Sequence, residues 1–583
     1  METKRKRRVL FTGEASFLAT GFSTYYNEVL GRLHATGEFE ILEIGSYGHA
    51  DDPRCQQVPW KFYPAAPARS DKQAMQKYMA DQPRSHFGEL VFDDVCLDFK
   101  PDIVVGIRDF WMDEFILRSP FRKNFKFIWM PTIDGEPQRE LWLDSYRQCD
   151  RILTYSEYGM DLLKRTGRRG TELVTLASPG VDLEIFKPPK NKRDHKVKLG
   201  IDPNSLIIGM TARNQKRKLF YDLIEAFSMW LYKSKSKGHV ELAKRTFLYL
   251  HTSYPDVGYD MGKAIRDFKI GNKVIMTYLC ANCHVAYPSF FAGELVICRK
   301  CGKLASRPPN AGHSCPRDVL ADIMKSFDLY VQYSICEGAG MPAWEAMACG
   351  VPVAAPRYSA MEDYFQCPTS IPIDVGRFFW ESIIETEQKR ALPDNQDFAN
   401  KLDKFLKQSE SVRDDKSKQT RAYAEELVDT YGQDIKMCRR GWDRTAAIWG
   451  QVLRETEIKD QKDTWLCPTS RIRKPVLVPP SNDMSNNEFV DWVIGDVWGH
   501  PELVRRSNTR MGSKGDENKH FAGEWLQCLN SGSKTVGENR IPFNRQVLVE
   551  HFIKMVQEAN VVEERRLKSL SGKTEEQFDA VVM

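Results

Sequence analysis

The most informative part of this sequence is residues 336–350, which read Cys-Glu-Gly-Ala-Gly-Met-Pro-Ala-Trp-Glu-Ala-Met-Ala-Cys-Gly. Two carboxylates, Glu337 and Glu345, flank a glycine-bracketed turn that contains Pro342. A glycine-rich turn that leads into a helix with proline near its start is typical of a site for a polyhydroxylated anion. The first backbone N–H groups of a helix have no partner within it, and the helix dipole attracts negative charge. Because Glu345 lies one turn inside the predicted helix, both carboxylates can contact the same small polar ligand.

Two series of short apolar runs predict two parallel sheets. Strands buried on both faces of a sheet appear as nearly continuous apolar runs that alternate with helices. We therefore predict an α/β fold with two Rossmann-like, doubly wound domains whose strand ends face a shared cleft. The runs are 9–11, 41–44, 102–105, 127–129 and 151–153 in the first series, and 206–210, 247–250, 274–276, 328–331 and 351–354 in the second.

The domain boundaries follow from these runs. We expect a first domain over residues 1–188 and a second over 189–430, joined at a polar linker that contains Pro188 and Pro189. A helical pattern over 431–457 predicts a further helix. Residues 458–583 are expected to form a mainly helical extension. A capping box at Ser485 and Glu488 predicts the start of a helix whose apolar face consists of Phe489, Trp492, Val493 and Val497. A second predicted helix has an apolar face of Leu548, Phe552, Met555 and Ala559.

Composition limits the class of protein. A chain of 583 residues is too long for one hydrophobic core, and 42% hydrophobic with 28% charged residues excludes a disordered or fibrous protein. The net charge of +5 does not favour nucleic acid or a membrane as the main partner. We find no signal peptide and no apolar run of 18 residues, so no transmembrane segment is expected. The 14 cysteines lack a secretory context, and the cytoplasm is therefore the expected compartment.

The segment from Glu337 to Glu345 resembles the Glu–seven residues–Glu motif of retaining glycosyltransferases with the GT-B fold, family four, also called glycosyl transferases group 1. Residues 211–218, Thr-Ala-Arg-Asn-Gln-Lys-Arg-Lys, resemble the Arg/Lys pair of the same family. The resemblance covers residues 9–456 apart from a cysteine-rich insertion, and it implies that the helix over 431–457 crosses back onto the first domain. It implies an enzyme that transfers a sugar from a nucleotide-diphosphate sugar, its co-substrate, to an acceptor.

The resemblance also implies roles for the donor-side residues. Arg213 and Lys218 would neutralise the diphosphate, because fixed cations in a dry cleft stabilise charge that develops on a leaving oxygen. They would take the part that a divalent metal plays in other transferases, so no catalytic metal is expected. Glu337 would approach the donor sugar and Glu345 the ribose hydroxyls. The remaining donor-binding candidates are the backbone at Gly338, Ala339, Gly340 and Met341 and the first-domain loop at Gly21.

The first domain gives fewer signals for its part of the site. Many relatives carry a histidine near the transferred sugar, and this sequence does not show it clearly. Asp109 and Asp134 follow the third and fourth predicted strands of this domain, so both are candidates for acceptor activation or for sugar contact. Either carboxylate is equally compatible with a structural role. The acceptor is not specified by the sequence, and protein and nucleic acid are both candidates.

A second motif consists of two Cys-x-x-Cys pairs separated by 14 residues, Cys280 with Cys283 and Cys298 with Cys301. Four thiolates at this spacing predict a structural zinc ribbon, which we assign to residues 279–316. The alternative is a pair of reduced or disulfide-forming motifs. His284, His313 and Cys315 lie close enough in the sequence to replace a cysteine ligand.

The sequence supports three functional hypotheses. A retaining glycosyltransferase explains the largest number of motifs. A sugar-nucleotide epimerase or a phosphorylase is the alternative on the same fold. From a different class, a non-catalytic protein on a GT-B scaffold would bind nucleic acid or protein through the ribbon and residues 458–583, which are also candidates for oligomer or partner contacts.

Overall fold

The structure is a computed structural model. It describes residues 5–82, 84–166, 174–310, 312–382, 386–428, 440–459, 465, 484–493, 528–536, 539–542 and 545–571. Val497, part of the predicted helix face, and the residues after 571 lie outside the described ranges.

The first domain is built on a seven-stranded parallel sheet in the order β3-β2-β1-β4-β5-β6-β7. Its strands alternate buried residues between two faces: Leu10 and Val104 point to one core, whereas Val9 and Val105 point to another. The strand order reverses between β1 and β4. The strands are β1 (Arg7–Glu14), β2 (Phe39–His49), β3 (Lys61–Ala66), β4 (Ile103–Gly106), β5 (Lys126–Trp129), β6 (Arg151–Thr154) and β7 (Thr175–Leu176).

Helices cover both faces of this sheet. The first of them starts after Thr20, whose side chain accepts a hydrogen bond from the backbone N–H of Ser23 at 3.1 Å. Pro53–Gln56 form a 3₁₀ turn. The helices are α1 (Gly21–Ala35), α2 (Lys72–Ala80), α3 (Glu89–Phe99), α4 (Phe110–Asp113), α5 (Phe115–Arg118), α6 (Glu140–Tyr146) and α7 (Glu157–Arg165).

The second domain has six parallel strands in the order β10-β9-β8-β14-β15-β16, and three short strands extend the β10 edge. Its order reverses between β8 and β14. The strands are β8 (Leu206–Thr211), β9 (Thr246–His251), β10 (Val274–Cys280), β11 (Ala286–Phe290), β12 (Val296–Ile297), β13 (Leu304–Arg307), β14 (Leu329–Val331), β15 (Val353–Pro356) and β16 (Ile371–Ile373), with a separate hairpin of β17 (Val375–Trp380) and β18 (Lys389–Pro393).

The helices of the second domain surround this sheet. Two 3₁₀ segments, Lys216–Lys218 and Ser359–Gln366, lie in loops at its edge. The helices are α8 (Lys192–Lys198), α9 (Phe220–Ser236), α10 (Val240–Arg245), α11 (Met261–Asp267), α12 (Arg317–Lys325), α13 (Met341–Ala348), α14 (Asn395–Leu406) and α15 (Glu410–Val428).

Each apolar run of the sequence overlaps an observed strand, and the strands without such a run lie at sheet edges or in short antiparallel pairs. β3, β7 and β16 lie at sheet edges, where only one neighbouring strand covers the backbone. An edge strand needs no continuous apolar run, and β3 even contains a proline, Pro64. Edge strands therefore leave a weaker signal in the sequence.

Helix α16 (Trp442–Glu455) belongs to the second half of the chain but packs on the first domain. The indole Nε1 of Trp449 donates a hydrogen bond of 2.8 Å to the Tyr25 hydroxyl. Gly180 is required at the chain crossing, because a Cβ atom there would lie 2.4 Å from the backbone nitrogen of Trp442. This helix ties the two domains together.

The C-terminal extension forms a small core of its own. Ser485 and Glu488 exchange the two hydrogen bonds of a capping box, 2.7 and 3.2 Å long. The extension packs beside α3, and a hairpin adds two strands that the sequence analysis did not predict. Its elements are α17 (Asn486–Trp492), β19 (Ser533–Val536), β20 (Asn539–Pro542) and α18 (Arg545–Ser571), and its core is formed by Phe489, Trp492, Val493, Phe552, Val556 and Ala559.

Within the described ranges, no helix combines the length and the apolar character needed to cross a bilayer.

Candidate functional site

The second domain places charged side chains where its strand order reverses. Open α/β sheets bind ligands in the crevice at the carboxyl ends of the strands at this point. Lys218 lies in the loop after β8, and Glu337 lies in the loop after β14. These two strands are neighbours in the sheet, so the loops meet although 119 positions separate the residues.

Glu337 is the centre of this cluster. Its Oε1 atom accepts hydrogen bonds from Lys218 Nζ and from Ser334 Oγ, the latter at 2.7 Å. Its Oε2 atom lies 3.3 Å from Arg217 Nη1. Burial disfavours the charged carboxylate, but the two cations outweigh burial and lower the pKa of Glu337 to about 2. Glu337 is therefore a fixed anion at neutral pH.

Lys218 is buried beside it. Burial and the neighbouring Arg217 lower the pKa of Lys218 to about 8, and the contact with Glu337 opposes that shift. The ammonium group is therefore still protonated at neutral pH. A buried cation held by one carboxylate in a crevice is suited to receive a phosphate group.

Arg217 is a site residue that the sequence analysis did not single out. The short 3₁₀ turn Lys216–Lys218 has about three residues per turn, so its successive side chains point in three directions. Lys216 points to solvent, whereas Arg217 is half-buried and reaches Glu337. The sequence signal was only its position beside Lys218.

Arg213 occupies a different part of the crevice from Lys218. Its guanidinium forms a two-pronged ion pair with Asp256, at 2.8 and 2.9 Å, and its side chain is 55% exposed. Burial raises the pKa values of Glu14 and Tyr47 in the first domain, and the positive charge of Arg213 opposes both shifts. Arg213 thus faces the first domain across the cleft and does not contact Glu337.

Glu345 lies on α13, buried inside its first turns. Burial raises the pKa of Glu345 to about 7, while Arg317 lowers it and Glu28 raises it further. The nearest cationic atom is Arg317 Nη2, 3.8 Å from Glu345 Oε1. Glu345 is therefore a weakly paired carboxylate, in contrast to Glu337.

The glycine turn between these carboxylates runs along the first domain. A Cβ atom on Gly338 would lie 2.5 Å from the Thr132 side chain of that domain. Gly340 has a φ of +61°, and a Cβ atom there would collide with the Tyr364 hydroxyl. Both glycines are therefore required by the space available.

The two neighbours of these glycines contact the first domain as well. Ala339 and Met341 pack on the apolar core that contains α1. Gly21, the first residue of α1, lies against Met341, whose Cε would be 3.7 Å from an added Cβ atom. The predicted donor-binding backbone therefore lies at the interface of the two domains.

Asp109 is the carboxylate that the first domain presents to this cluster. It follows β4, at the point where the first sheet reverses its strand order. Burial, together with the charge of Asp134, raises the pKa of Asp109 to about 6, and the nearby Thr132 hydroxyl and the charge of Arg217 oppose that shift. Asp109 is thus close enough to the second-domain cations to interact with them.

Glu14, at the end of β1, is a further cleft residue that the sequence analysis did not select. It accepts a hydrogen bond from Thr20, and burial raises its pKa. The positive charge of Arg213, on the second domain, opposes this rise in pKa. A lone glutamate at a strand end gives no specific sequence signal.

Asp134 is engaged in a contact between the domains. Its Oδ1 atom lies 2.9 Å from Arg390 Nη1, and its Oδ2 atom accepts a hydrogen bond of 3.2 Å from the Cys336 thiol. The next residues continue the contact, because the backbone of Glu136 pairs with that of Lys389 on β18. Both carboxylate oxygens of Asp134 therefore hold the two domains together.

The four predicted zinc ligands come together at the end of β10. The sulfur atoms of Cys280, Cys283, Cys298 and Cys301 all lie within 4.8 Å of one another. Two of the separations, Cys280–Cys301 and Cys283–Cys298, are 3.7 Å. Four thiolates at 2.3 Å from a tetrahedral zinc would be about 3.8 Å apart, so the cluster fits this ion. Cys315 is not part of the cluster.

Comparison with known proteins identifies the same segment that the sequence analysis started from. Residues 312–366 match the sequence model of the family "Glycosyl transferases group 1". This range contains both Glu337 and Glu345, and the match confirms the resemblance to that family.

Two curated relatives carry the same name. The D-inositol 3-phosphate glycosyltransferase of Streptomyces bingchenggensis is 29% identical over 207 residues, which is 36% of this chain and 38% of that protein. Its namesake from Stackebrandtia nassauensis is 25% identical over 210 residues, 36% of this chain and 39% of that protein. The chain thus matches less than half the length of either relative.

Solved structures extend the likeness to both domains. Sucrose-phosphate synthase from Thermosynechococcus elongatus superimposes with a TM-score of 0.50 at 15% identity, over 77% of this chain and 99% of that one. Anabaena HepE, solved with UDP-glucose, superimposes with a TM-score of 0.50 at 12% identity, over 77% of this chain and 100% of that one. At such identities the likeness concerns the fold, and it confirms the prediction of two doubly wound domains facing a cleft.

Proposed function

We propose that this chain is a retaining glycosyltransferase that moves a sugar from a nucleotide-diphosphate sugar to an acceptor hydroxyl. The observation that carries the proposal is the ion cluster of Lys218, Arg217 and Glu337 at the point where the second sheet reverses its strand order. Such a cluster, next to a glycine turn and a helix start, suits a diphosphate and the sugar attached to it.

The donor is held by the second domain. Lys218 and Arg217 take the charge that develops on the departing phosphate oxygen, and Arg213 contributes from the outer part of the cleft. Glu337 orients the two inner cations and contacts the sugar. Glu345 accepts hydrogen bonds from the ribose, and the backbone from Gly338 to Met341 contacts sugar or phosphate.

The reaction proceeds on one face of the sugar. The acceptor oxygen attacks the anomeric carbon from the side on which the bond to the phosphate oxygen breaks. Because the new bond forms on the face from which the phosphate leaves, the anomeric configuration is retained, and the departing phosphate takes the proton of the acceptor hydroxyl. Closure of the two domains excludes water and limits hydrolysis of the donor.

Asp109 is our choice for the carboxylate that orients the acceptor. It faces the cleft next to Arg217, whereas both oxygens of Asp134 are occupied by the contact with Arg390 and Cys336. We accordingly propose that Asp134 maintains the alignment of the two domains.

The cysteine cluster is proposed to hold one structural zinc ion. Its four thiolates would fill the coordination sphere, so the ion would stabilise the insertion and would offer no open position for chemistry. Backbone N–H groups of Asn282 and Lys300 point to the sulfur atoms of Cys280 and Cys298 at 3.4 Å, as in a thiolate site.

The remaining expectations concern surroundings and partners. We propose the cytoplasm as the compartment, because the described cysteines are all free of disulfide bonds. We propose that residues 458–583 contact the acceptor or a partner, with protein and nucleic acid as candidates. Deletion of 458–583 should then abolish transfer to the acceptor and leave donor hydrolysis intact.

The first experiment identifies the donor. Thermal unfolding of the full chain is measured with UDP, GDP, ADP and dTDP, and UDP is tested first because HepE was solved with UDP-glucose. Sugar nucleotides of the best base are then assayed for turnover, and NMR reports the anomeric configuration of the product. We expect one base to raise the melting temperature and the product to retain its configuration.

Glu337→Gln is the diagnostic variant, and Glu184→Gln is its matched control, because the Glu184 side chain is 91% exposed. The control should turn over like the wild type, and Glu337→Gln should fall to background. If no nucleotide stabilises the wild type and all three proteins hydrolyse donors at the same background rate, the chain is a binding protein on this fold.

A further inference from the structure

Arg317 is the first residue of α12, and it lies directly after the cysteine-rich insertion. Its guanidinium touches both domains. Nη1 lies 2.5 Å from Oε1 of Glu28, on α1 of the first domain. Nη2 lies 3.8 Å from Oε1 of Glu345, on α13 of the second domain. The cation is therefore close to the first domain and only loosely paired with Glu345.

The chain segment between the domains also contacts this cation. The Arg317 guanidinium carbon lies 5.6 Å from the centre of the Phe186 ring, which is fully buried. Phe186 belongs to the segment that leads from the first domain to the second. A planar guanidinium has several donors in a fixed fork, so one side chain can stack on a ring and contact two carboxylates.

The two carboxylates differ in their other partners. Glu28 also pairs with Arg32 at 2.6 Å, and Arg32 reaches Asp443 on α16 at 2.6 Å. Among the described residues, Arg317 is the only cation paired with Glu345. Glu28 thus has a second cationic partner, Arg32, whereas the described residues offer Glu345 no cation other than Arg317.

We propose that Arg317 is a positioning residue that links domain closure to ribose binding at Glu345. When the domains separate, Glu28 is withdrawn and Arg317 pairs with Glu345 alone. When they close, Glu28 takes the guanidinium and leaves the oxygen atoms of Glu345 free for the ribose hydroxyls. The inference rests on the proposed function, because Glu345 is the ribose ligand there. A bound nucleotide then favours closure, since it binds the closed arrangement more tightly.

The test is a double-mutant cycle in the full chain. The probe is whichever of UDP, GDP, ADP and dTDP binds the wild type most tightly, and its Kd is measured by calorimetry. Glu28→Gln should weaken binding about fivefold, although Glu28 lies on the other domain, because coupling between sites is typically of this size or larger. In an Arg317→Gln background the same change should have no further effect.

Controls separate coupling from folding. Glu38→Gln breaks another ion pair between α16 and the first domain, with Arg454 at 3.0 Å, and it should leave the Kd unchanged. If Arg317→Gln does not fold, Arg317→Lys replaces it in the cycle, because lysine keeps the positive charge but lacks the planar guanidinium that can contact two carboxylates. Small-angle scattering should show that the nucleotide compacts the wild type and compacts Glu28→Gln less.

Two results would overturn the inference. If Glu28→Gln lowers the melting temperature but binds the nucleotide like the wild type, Glu28 has a structural role only. If the effects of Glu28→Gln and Arg317→Gln on the Kd multiply, the two residues act independently. In both cases the proposed function stands. Failure of the wild type to bind any of the four nucleotides would overturn the inference together with the proposed function.

Discussion

The two walls of the cleft differ in how their charges are balanced. On the second-domain wall, Lys218 and Arg217 pair with Glu337, and Arg213 pairs with Asp256. On the first-domain wall, Glu14 accepts a hydrogen bond from the Thr20 hydroxyl, and the ion pairs of the described residues include neither Glu14 nor Asp109.

This difference assigns different tasks to the walls. Glu337 is charged throughout the neutral range because two cations lower its pKa. Asp109 and Glu14 have raised pKa values because burial outweighs their weaker partners. The paired wall is therefore preorganised around fixed charges, whereas burial raises the pKa values of the carboxyls on the unpaired wall, to about 6 for Asp109. Each variant below removes one element of this contrast.

Lys218→Met should have the largest effect. It removes a cation from the paired wall and leaves Glu337 with Arg217, so turnover of the donor should fall by about 10²–10³-fold. Glu337 keeps one of its two cations, so unfolding should become easier by less than the about 3–5 kcal/mol expected for an unpaired buried charge. Turnover and urea denaturation are measured side by side. Wild-type turnover in the variant would contradict the role of this wall.

Asp109→Asn should have the second-largest effect on turnover, and this effect should depend on pH. Asp109 contributes as a carboxylate, and its pKa is raised to about 6, so wild-type turnover should increase as the pH rises through about 6. In the variant this pH dependence should disappear and kcat should fall about 10²-fold, the size of effect that a misplaced reactant can produce. The measurement is kcat from pH 4.5 to 8. A pH dependence that persists in Asp109→Asn belongs to another group, and Glu345 is then the first to examine.

Arg213→Ala should have a moderate effect. This arginine is half-exposed and already pairs with Asp256, so its loss should reduce kcat/KM about tenfold, well below the effect at Lys218. Arg193→Ala is the matched control, because it breaks a similar exposed pair with Glu410 at 2.8 Å, away from the cleft. If Arg213→Ala and Lys218→Met reduced kcat/KM equally, the exposed and the buried cation of this wall would contribute equally, which would contradict our description.

The cysteine cluster should have the smallest effect on turnover. Mass spectrometry of the purified chain should find one zinc per molecule, and Cys283→Ser should lose it. Cys315→Ser should retain the ion, because Cys315 lies outside the cluster. Unfolding of the insertion should become easier by several kcal/mol in Cys283→Ser while turnover persists. Zinc loss in Cys315→Ser would mean that the ligand set is different.

The sequence alone determined the features that depend on near neighbours. The apolar runs, the glycine turn with its two carboxylates, the cysteine spacing and the capping box at Ser485 and Glu488 are all local patterns, and the backbone needs them wherever the segment is placed. They were enough for the fold, for the position of Glu337 and Glu345 on either side of the glycine turn and for the grouping of the four thiols.

Tertiary structure decided the partners of the charged side chains. Asp134 and Arg390 are 256 positions apart, and Glu28 and Arg317 are 289 apart, so their contacts exist only once two separately folded sheets meet. The burial of Arg217 and the pairing of Arg213 with Asp256 need only the second domain, but they too join loops that follow different strands of its sheet. Charge interactions depend on distance and burial, and neither quantity is present in a linear pattern of residues.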